Sequence, residues 1–296
     1  MDNSMVLTEA IMPNIPFLGR GKVLDVYRVD DERVLYIYTD RVSLSNETMA
    51  NGAPRIGQMA AKLSWFWHEK LSTFCRSSFL TNRLSEFPKE FQEYGELLYG
   101  RSIIAKKLEI IPIECVVRGN LSGSAWRDYL SDGSVCGHYL PENMHENDKL
   151  AHAIFTPSTK VAAGTERNIT LAEGEDLVGS RTMFIMESNS RRLYNAAASY
   201  ALMQGIILAD TKFVFGKDQE GDIYLAGEIL TPSTSSFWDV NYQSDLRYDN
   251  GYVREHLKQN GRKELPTYLP EDILNSIYVR HYEAYAQITG NTCIAN

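Results

Sequence analysis

The chain of 296 residues is poor in cysteine, with only four: Cys75, Cys115, Cys136 and Cys293. They are scattered and form no CxxC pair, so the sequence gives little support to a zinc site or a dithiol redox motif. Isolated thiols are typical of proteins in a reducing compartment, and we therefore expect a cytoplasmic protein.

Long apolar runs and long basic runs are also missing. No apolar segment approaches the length that a bilayer span requires, and the N-terminus lacks the basic start and apolar segment of a signal peptide. Lysine and arginine form local pairs such as Lys106-Lys107 but no long runs, and the formal net charge is -8. This charge argues against a broad basic face for nucleic acid, and we expect neither a membrane nor a nucleic-acid partner.

The residues that are present match a globular protein, with 44% hydrophobic and 23% charged residues. The length suggests roughly two domains. Alternating apolar residues predict two β-hairpins, 23–27 with 34–38 and 206–216 with 223–230. Helical periodicity at 56–71 and 182–203, followed by two helices within 251–290, completes an α+β pattern.

The stretch from Lys106 to Trp126 carries the clearest functional pattern. An apolar strand is predicted to break at Arg118-Gly119-Asn120, and Ser122-Gly123-Ser124 then precedes a helix that starts near Trp126. Outward backbone N–H groups, a helix dipole and an arginine fork together favour an anion site. An ordinary turn with a serine helix cap explains the same residues equally well.

Two further segments carry candidate site residues. Gly21 and Lys22 form a glycine turn beside a predicted strand, which is able to cover nucleotide phosphates, although the GxGK pattern is short. Asp210 and Lys212 lie two residues apart on one strand face, and the predicted hairpin brings Glu228 near Asp210. This set indicates either a structural ion pair or a site for magnesium and phosphate.

With these segments in place, the chain resembles the SAICAR synthetase (phosphoribosylaminoimidazole-succinocarboxamide synthase) family along nearly its whole length. Several motifs carry the resemblance, in the same order as in the family. They are GKVLDVY at 21–27, TDRVS at 39–43, the stretch at 106–126, IFTPSTK at 154–160, GIILADTKFVFG at 205–216, EILTP with FW at 228–238, and the helical tail LPEDILNSIYVRHYEAYAQITG.

The resemblance implies an α+β fold with an antiparallel-sheet N-terminal domain at 1–112. A larger α+β domain with C-terminal helices would follow at 113–296, with an ATP cleft between the two. The family uses ATP and Mg²⁺ to join a carboxyaminoimidazole ribotide to the amine of L-aspartate through an acyl phosphate. The partners implied are thus a small-molecule carboxylate and an amino acid, and a homo-oligomer is left open.

The resemblance also assigns roles to individual residues. Gly21, Lys22, Lys106, Ile110 and Glu114 would bind ATP. Asp210 and Lys212 would lie at the reacting carboxylate as catalytic residues, and Asp210 with Glu228 would hold the metal. The residues that would contact the substrate are Asp40, Ser43, Arg118 and Ser124.

The chain departs from the family pattern mainly at site positions. Six positions that are charged in the family carry an uncharged residue here: Leu24, Asn46, Val214, Gly227, Ser233 and Ser236. Ser236 replaces an arginine that contacts the ribotide phosphate, so the resemblance suggests a divergent paralogue with an altered acid and amine pair in secondary metabolism. A non-catalytic nucleotide- or metabolite-binding regulator and a phosphotransferase that stops at the phosphorylated product are the alternatives.

Overall fold

The computed structural model describes residues 6–44, 47–160, 166–241, 243–259 and 264–293. It combines helices with antiparallel sheets, which confirms the predicted α+β class. No helix in these ranges is both long enough and apolar enough to cross a membrane.

The strands and helices are numbered along the chain. The strands are β1 Phe17–Arg20, β2 Leu24–Arg28, β3 Arg33–Tyr38, β4 Arg41–Leu44, β5 Glu47–Gly52, β6 Phe79–Thr81, β7 Ser102–Lys106, β8 Glu109–Ile110, β9 Ile113–Asn120, β10 Ser134–Val135, β11 His138–Tyr139, β12 Lys149–Phe155, β13 Ser158–Lys160, β14 Glu166–Asn168, β15 Ile206–Lys217, β16 Ile223–Ala226, β17 Ser235–Asp239 and β18 Gln243–Arg247. The helices are α1 Ile56–Lys70, α2 Lys89–Gln92, α3 Gly95–Leu98, α4 Gly123–Asp132, α5 Leu171–Val178, α6 Ser180–Met203, α7 Gly251–Gln259 and α8 Glu271–Thr289.

The first sheet has five strands in the order β1-β2-β3-β7-β6. The predicted hairpin of β2 and β3 is confirmed, with Val26 opposite Tyr36. Leu35, Ile37 and Ile104 are buried on one face of this sheet, where they pack with aromatic residues such as Phe91. The glycine turn between β1 and β2 lies at the edge of this sheet, because β1 is its outermost strand.

The central sheet is built around β15, which pairs with β9 on one side and β17 on the other. From Asp210 onward the side chains of β15 alternate, so Thr211 and Phe213 are buried while Asp210 and Lys212 point to the opposite face. The register of β15 with β17 shifts between Leu208 and Asp210, and Leu208 before the shift is also buried. Helix α6 packs on the apolar face, where Leu193 joins the largest core cluster. The polar face is therefore free to form a site.

Helix α1 joins the two halves of the fold. Its residues Met59, Leu63 and Trp67 are fully buried in the core cluster that also holds Ile277 and Ile288 of α8. The chain passes from the first sheet to the central sheet between β7 and β8, because β8 already pairs with β15. The division into domains at 112 and 113 stays a prediction.

Two local predictions were wrong. The break expected at Arg118-Gly119-Asn120 does not occur, because pairing of β9 with β12 and β15 extends the strand to Asn120. Helix α4 consequently starts at Gly123 rather than near Trp126. The hairpin partner expected at 223–230 ends at Ala226, since Gly227 and Leu230 have positive φ angles of 69° and 52°, outside the β region of a regular strand.

Candidate active site

A cleft of about 1690 Å³ lies between the first sheet and the polar face of the central sheet. Lys22 and Tyr36 line it from the first sheet, and Asp210 and Lys212 line it from β15. The N-terminal end of α4 contributes Ser124 to the same cleft. The space is larger than the usual pocket for a single small molecule and accommodates several reactants side by side.

The three central strands place the charged residues in one row. In the antiparallel pairing Asp210 lies opposite Arg118 of β9 and opposite Ser236 of β17. Directly opposed residues have neighbouring side chains, so these three groups meet on one face. Lys212, two residues along β15, points to the same face.

Arg118 and Asp210 form the centre of this row, with 3.8 Å between Nη1 and Oδ2. The hydroxyls of Ser122 and Ser236 donate to the two oxygens of Asp210 at 3.2 and 3.1 Å. Arg118 also donates to Ser124 at 3.0 Å, and its side chain is only 9% exposed. A planar guanidinium held in this way is prepared to bind an anionic group in the cleft.

Lys212 forms the second charged contact of the cleft. Its Nζ lies 3.1 Å from Oε2 of Glu114, whose side chain is 4% exposed, whereas that of Lys212 is 28% exposed. The ammonium is thus fixed by a buried carboxylate while part of it faces the cleft. A lysine placed in this way is suited to stabilise charge on a phosphoryl group.

Glu228 lies beyond the end of β16 and lines the cleft. The Thr231 hydroxyl donates to its Oε1 at 2.5 Å. Burial raises the pKa of Glu228 from its ordinary value to about 7, although Thr231 and the charge of Lys212 act in the opposite direction. The carboxyl group therefore ionises near neutral pH, and a cation in the cleft would favour the ionised form.

The alternative of a serine helix cap at α4 is not what the structure shows. Ser122 occupies the N-cap position with an extended backbone, but its side chain makes no hydrogen bond to the helix N–H groups. Its hydroxyl points to Asp210 instead. The N-terminus of α4 is left open to the cleft next to Arg118 and Ser124, which favours the anion-site interpretation.

Most of the predicted site residues line the cleft. The predicted residues that line it are Gly21, Lys22, Ser43, Ile110, Glu114, Arg118, Ser124, Asp210, Lys212 and Glu228. The sequence missed Tyr36, Arg127, Arg167 and Arg254, which also line the cleft. The alternation of β3 was an available signal for Tyr36. Arg127 directly follows the 106–126 stretch, whereas Arg167 and Arg254 lie outside the motifs.

Lys106 and Asp40 are not among the residues that line the cleft, and their predicted roles stay predictions. Lys106 directs its Nζ to Asp218 and to the hydroxyl of Tyr224, at 3.3 Å each. Asp40 is fully buried, accepts from the backbone N–H of Gly57 at 2.9 Å and pairs with Arg101. Both side chains therefore hold the fold together at the margins of the site.

The departures from the family pattern cluster in the cleft. Leu24, Val214, Gly227, Ser233 and Ser236 all line it. Asn46, the sixth departure, lies outside the described residues. The described positions at which the resemblance implies a charged counterpart thus share the surface of the cleft.

The carboxylates of the cleft are candidate metal ligands. Among the described residues, no group of three or more histidine, cysteine, aspartate or glutamate side chains is arranged to hold a metal ion. Mg²⁺ in nucleotide-dependent enzymes is usually held by one or two carboxylates together with substrate phosphates. Asp210 and Glu228 fit this kind of site, since both offer hard oxygen ligands to the cleft.

Comparison with known proteins identifies the family. The sequence model of SAICAR synthetase matches residues 17–267. The chain belongs to the SAICAR synthetase family. It is 37% identical to the phosphoribosylaminoimidazole-succinocarboxamide synthase of Thermodesulfovibrio yellowstonii over 292 residues, which cover 96% of this chain and 99% of that protein. The corresponding synthase of Cyberlindnera jadinii is 36% identical over 298 residues, covering 97% and 99%.

Solved structures of SAICAR synthetases have the same fold. The SAICAR synthase of Saccharomyces cerevisiae, complexed with SAICAR, superposes with a TM-score of 0.88 at 33% identity over 97% of this chain and 99% of that chain. A SAICAR synthetase in complex with ADP has a TM-score of 0.70 at 22% identity, covering 92% and 97%, and shows likeness of fold. Members of the SAICAR synthetase family are ATP-dependent ligases of purine biosynthesis that act on the carboxyaminoimidazole ribotide and aspartate.

Proposed function

We propose that this chain is an ATP-dependent carboxylate–amine ligase that forms an amide through an acyl phosphate. The observation that carries the proposal is the row of Arg118, Asp210 and Lys212 on one sheet face, opposite the glycine turn of Gly21 and Lys22. These residues place cations on both sides of a cleft that is large enough for a nucleotide and a second substrate.

The chemistry explains why cations are needed on both sides. An amine does not attack a resonance-stabilised carboxylate, whereas it attacks an acyl phosphate, whose phosphate is a competent leaving group. The carboxylate oxygen takes the γ-phosphoryl group of ATP, ADP leaves, and the amine then displaces phosphate to give the amide. Lys22 and Lys212 would stabilise the transferring group, and the cleft would align the reactants and exclude water.

Magnesium would be held by Asp210 and Glu228 together with nucleotide phosphates. The ion supplies charge neutralisation of the phosphates when it is bound. Binding requires ionised carboxylates, and the pKa of about 7 for Glu228 means that a cation is needed to complete its ionisation at neutral pH. Arg118 and the open N-terminus of α4 would bind an anionic end of the acid substrate.

For the substrates, the carboxyaminoimidazole ribotide and L-aspartate are proposed first, because the named relatives are succinocarboxamide synthases along their whole length. One observation favours an altered pair. Ser236 lines the cleft where the resemblance places an arginine, and its hydroxyl is directed to Asp210. A site with one arginine fewer binds a phosphate dianion less tightly, so an acid with a different anchoring group is the second candidate.

A non-catalytic regulator is supported by a different observation. Val214 and Gly227 line the cleft where acids are expected, so the metal side has fewer carboxylates. Such a protein would bind nucleotide without turnover. Both the ligase and the regulator would have small molecules as their binding partners.

Release of ADP tests these alternatives. The purified protein is incubated with Mg²⁺, ATP, the ribotide and aspartate, and the amide product is identified by mass; a reaction without the protein serves as the blank. ADP and amide formed in equal amounts support the ligase with the purine substrate. ADP release only with other acids and amines from a panel supports the altered pair, and nucleotide binding without release from any of them contradicts the ligase proposal.

A further inference from the structure

Helix α1 holds the segment that carries Glu228 from behind. Ser64 and His68 are one helical turn apart on α1, so they share a face. Their exposed fractions are 0% and 2%, and neither lines the cleft. Both reach the peptide groups next to Glu228, which itself lines the cleft.

The hydrogen bonds of His68 define its tautomer. Its Nε2 lies 3.1 Å from the carbonyl oxygen of Gly227, which only accepts, so Nε2 carries the proton. Its Nδ1 then accepts from the hydroxyl of Ser77 at 2.7 Å, and that oxygen accepts from the backbone N–H of Phe79 at 3.0 Å. The ring also stacks on Phe79 with 3.7 Å between centroids. Both ring nitrogens and one ring face are thus fixed.

Ser64 contacts the other side of Glu228. Its hydroxyl oxygen accepts from the backbone N–H of Ile229 at 3.4 Å, a long hydrogen bond. Together the two side chains hold the carbonyl of Gly227 and the N–H of Ile229, which flank Glu228 on either side. We call Ser64 and His68 the α1 clamp.

The segment from Gly227 to Leu230 depends on the hydrogen bonds of the α1 clamp, because the sheet no longer supports its backbone. Strand β16 ends at Ala226, and positive φ angles at Gly227 and Leu230 turn the chain away from the β15 ladder. A backbone without ladder hydrogen bonds needs other partners to keep one conformation. The α1 clamp supplies them directly behind a carboxylate whose burial disfavours its ionised form.

We propose that His68, together with Ser64, is a positioning residue for Glu228. The clamp sets where this carboxylate enters the cleft and thereby sets the affinity for magnesium–nucleotide, an inference that rests on the proposed function. His68 touches no reactant and acts only through the peptide of Gly227. Second-layer partners of metal-binding carboxylates typically contribute 10–100-fold in metal affinity or activity.

Two variants of His68 separate positioning from simple packing. In His68→Gln the side-chain amide nitrogen reaches about as far as Nε2 and keeps the bond to Gly227. In His68→Asn it reaches only as far as Nδ1, so it contacts Ser77 and leaves the Gly227 carbonyl. Ser190→Ala is the control for a change in a buried helix side chain away from Glu228, because the Ser190 hydroxyl donates to the Met186 carbonyl within α6 at 2.6 Å.

The first readout is calorimetric binding of Mg²⁺–ADP. His68→Asn is expected to weaken it by about 10–100-fold, while His68→Gln and Ser190→Ala stay within about threefold of the wild type. In a Glu228→Gln background the His68→Asn change is expected to have no further effect, because the carboxylate through which it acts is gone. Equal affinities for His68→Asn and His68→Gln, or an undiminished effect in the Glu228→Gln background, would overturn the inference.

The second readout is amide hydrogen exchange of residues 225–230, which needs no nucleotide. His68→Asn is expected to speed exchange of this segment at least tenfold relative to His68→Gln; no difference would also overturn the inference. If the wild type bound no Mg²⁺–ADP, the proposed function would fail, whereas the exchange rates would still decide whether the clamp holds the segment.

Discussion

The contact between Lys212 and Glu114 allows catalysis and stability to be separated. Lys212→Met removes the charge but keeps most of the aliphatic stem, and Glu114→Gln removes the opposing charge with almost no change of shape. The double variant removes both charges. We expect Lys212→Met to lose activity and stability, and the double variant to recover stability alone.

The magnitude follows from the burial of the two side chains. Removing one partner of a fully buried pair costs about 3–5 kcal/mol, because the other charge stays in the protein interior. Glu114 is 4% exposed but Lys212 is 28% exposed, so solvent screening reduces this to about 1–3 kcal/mol. For a chain of this size the melting temperature falls by about 2–6 °C. Loss of the cation at the transferring phosphoryl group is expected to reduce kcat by about 10²–10³ or more.

Thermal unfolding and ADP release measure the two effects on the same samples. The Glu114→Gln, Lys212→Met double variant should melt within about 2 °C of the wild type and remain as inactive as Lys212→Met. Two results would refute the reasoning: recovery of turnover in the double variant, or a Lys212→Met protein that turns over at the wild-type rate. The first would show that Lys212 acts only on Glu114, and the second that it does not face the reaction.

Three further predictions test other parts of the site. Ser236→Arg should lower KM for the ribotide by about tenfold or more, since it adds a charge-assisted contact, and steady-state kinetics with no gain would contradict the placement of this position at the phosphate end. Because burial raises the pKa of Glu228 to about 7, the rate at limiting Mg²⁺ should fall as the pH drops through 7 and the carboxylate takes up a proton; Glu228→Gln should lack this limb, and an unchanged pH profile would count against the role of Glu228. An added methyl group in Gly119→Ala would lie 2.0 Å from the Tyr194 hydroxyl. It should cost about 1–3 kcal/mol in urea unfolding, and less in a Tyr194→Phe background; an equal cost in both would rule out this clash.

Apolar periodicity predicted the regular elements well. The helix expected at 56–71 is observed at Ile56–Lys70, and the one expected at 182–203 at Ser180–Met203. The long strand expected at 206–216 is observed at Ile206–Lys217. These segments bury one continuous face, so their pattern and their tertiary role agree.

The wrong predictions, and the contacts that the sequence did not indicate, concern residues whose conformation depends on distant partners. Arg118 and Asn120 looked like a loop from local composition, yet strands β12 and β15 on either side keep them in an extended conformation. Nothing near Asp40 in the sequence indicates that its carboxylate caps the backbone of Gly57 and pairs with Arg101. Long-range pairing overrides local preference at such positions.

The site itself was predictable only in part. Asp210 and Lys212 had to share a face because they are two residues apart on a strand. Their proximity to Arg118 depends on the register between β9 and β15, which sequence pattern alone does not provide. The position of Glu228 depends on the α1 clamp, which involves Ser64 and His68 from a helix more than 150 residues earlier.

A crystal structure with Mg²⁺ and a non-hydrolysable ATP analogue tests the central claim most directly. The proposed ligase requires the triphosphate to lie between Lys22 of the glycine turn and Lys212 of β15, with its terminal phosphate facing the space beside Asp210. A triphosphate bound at any other place on the molecule would contradict the account.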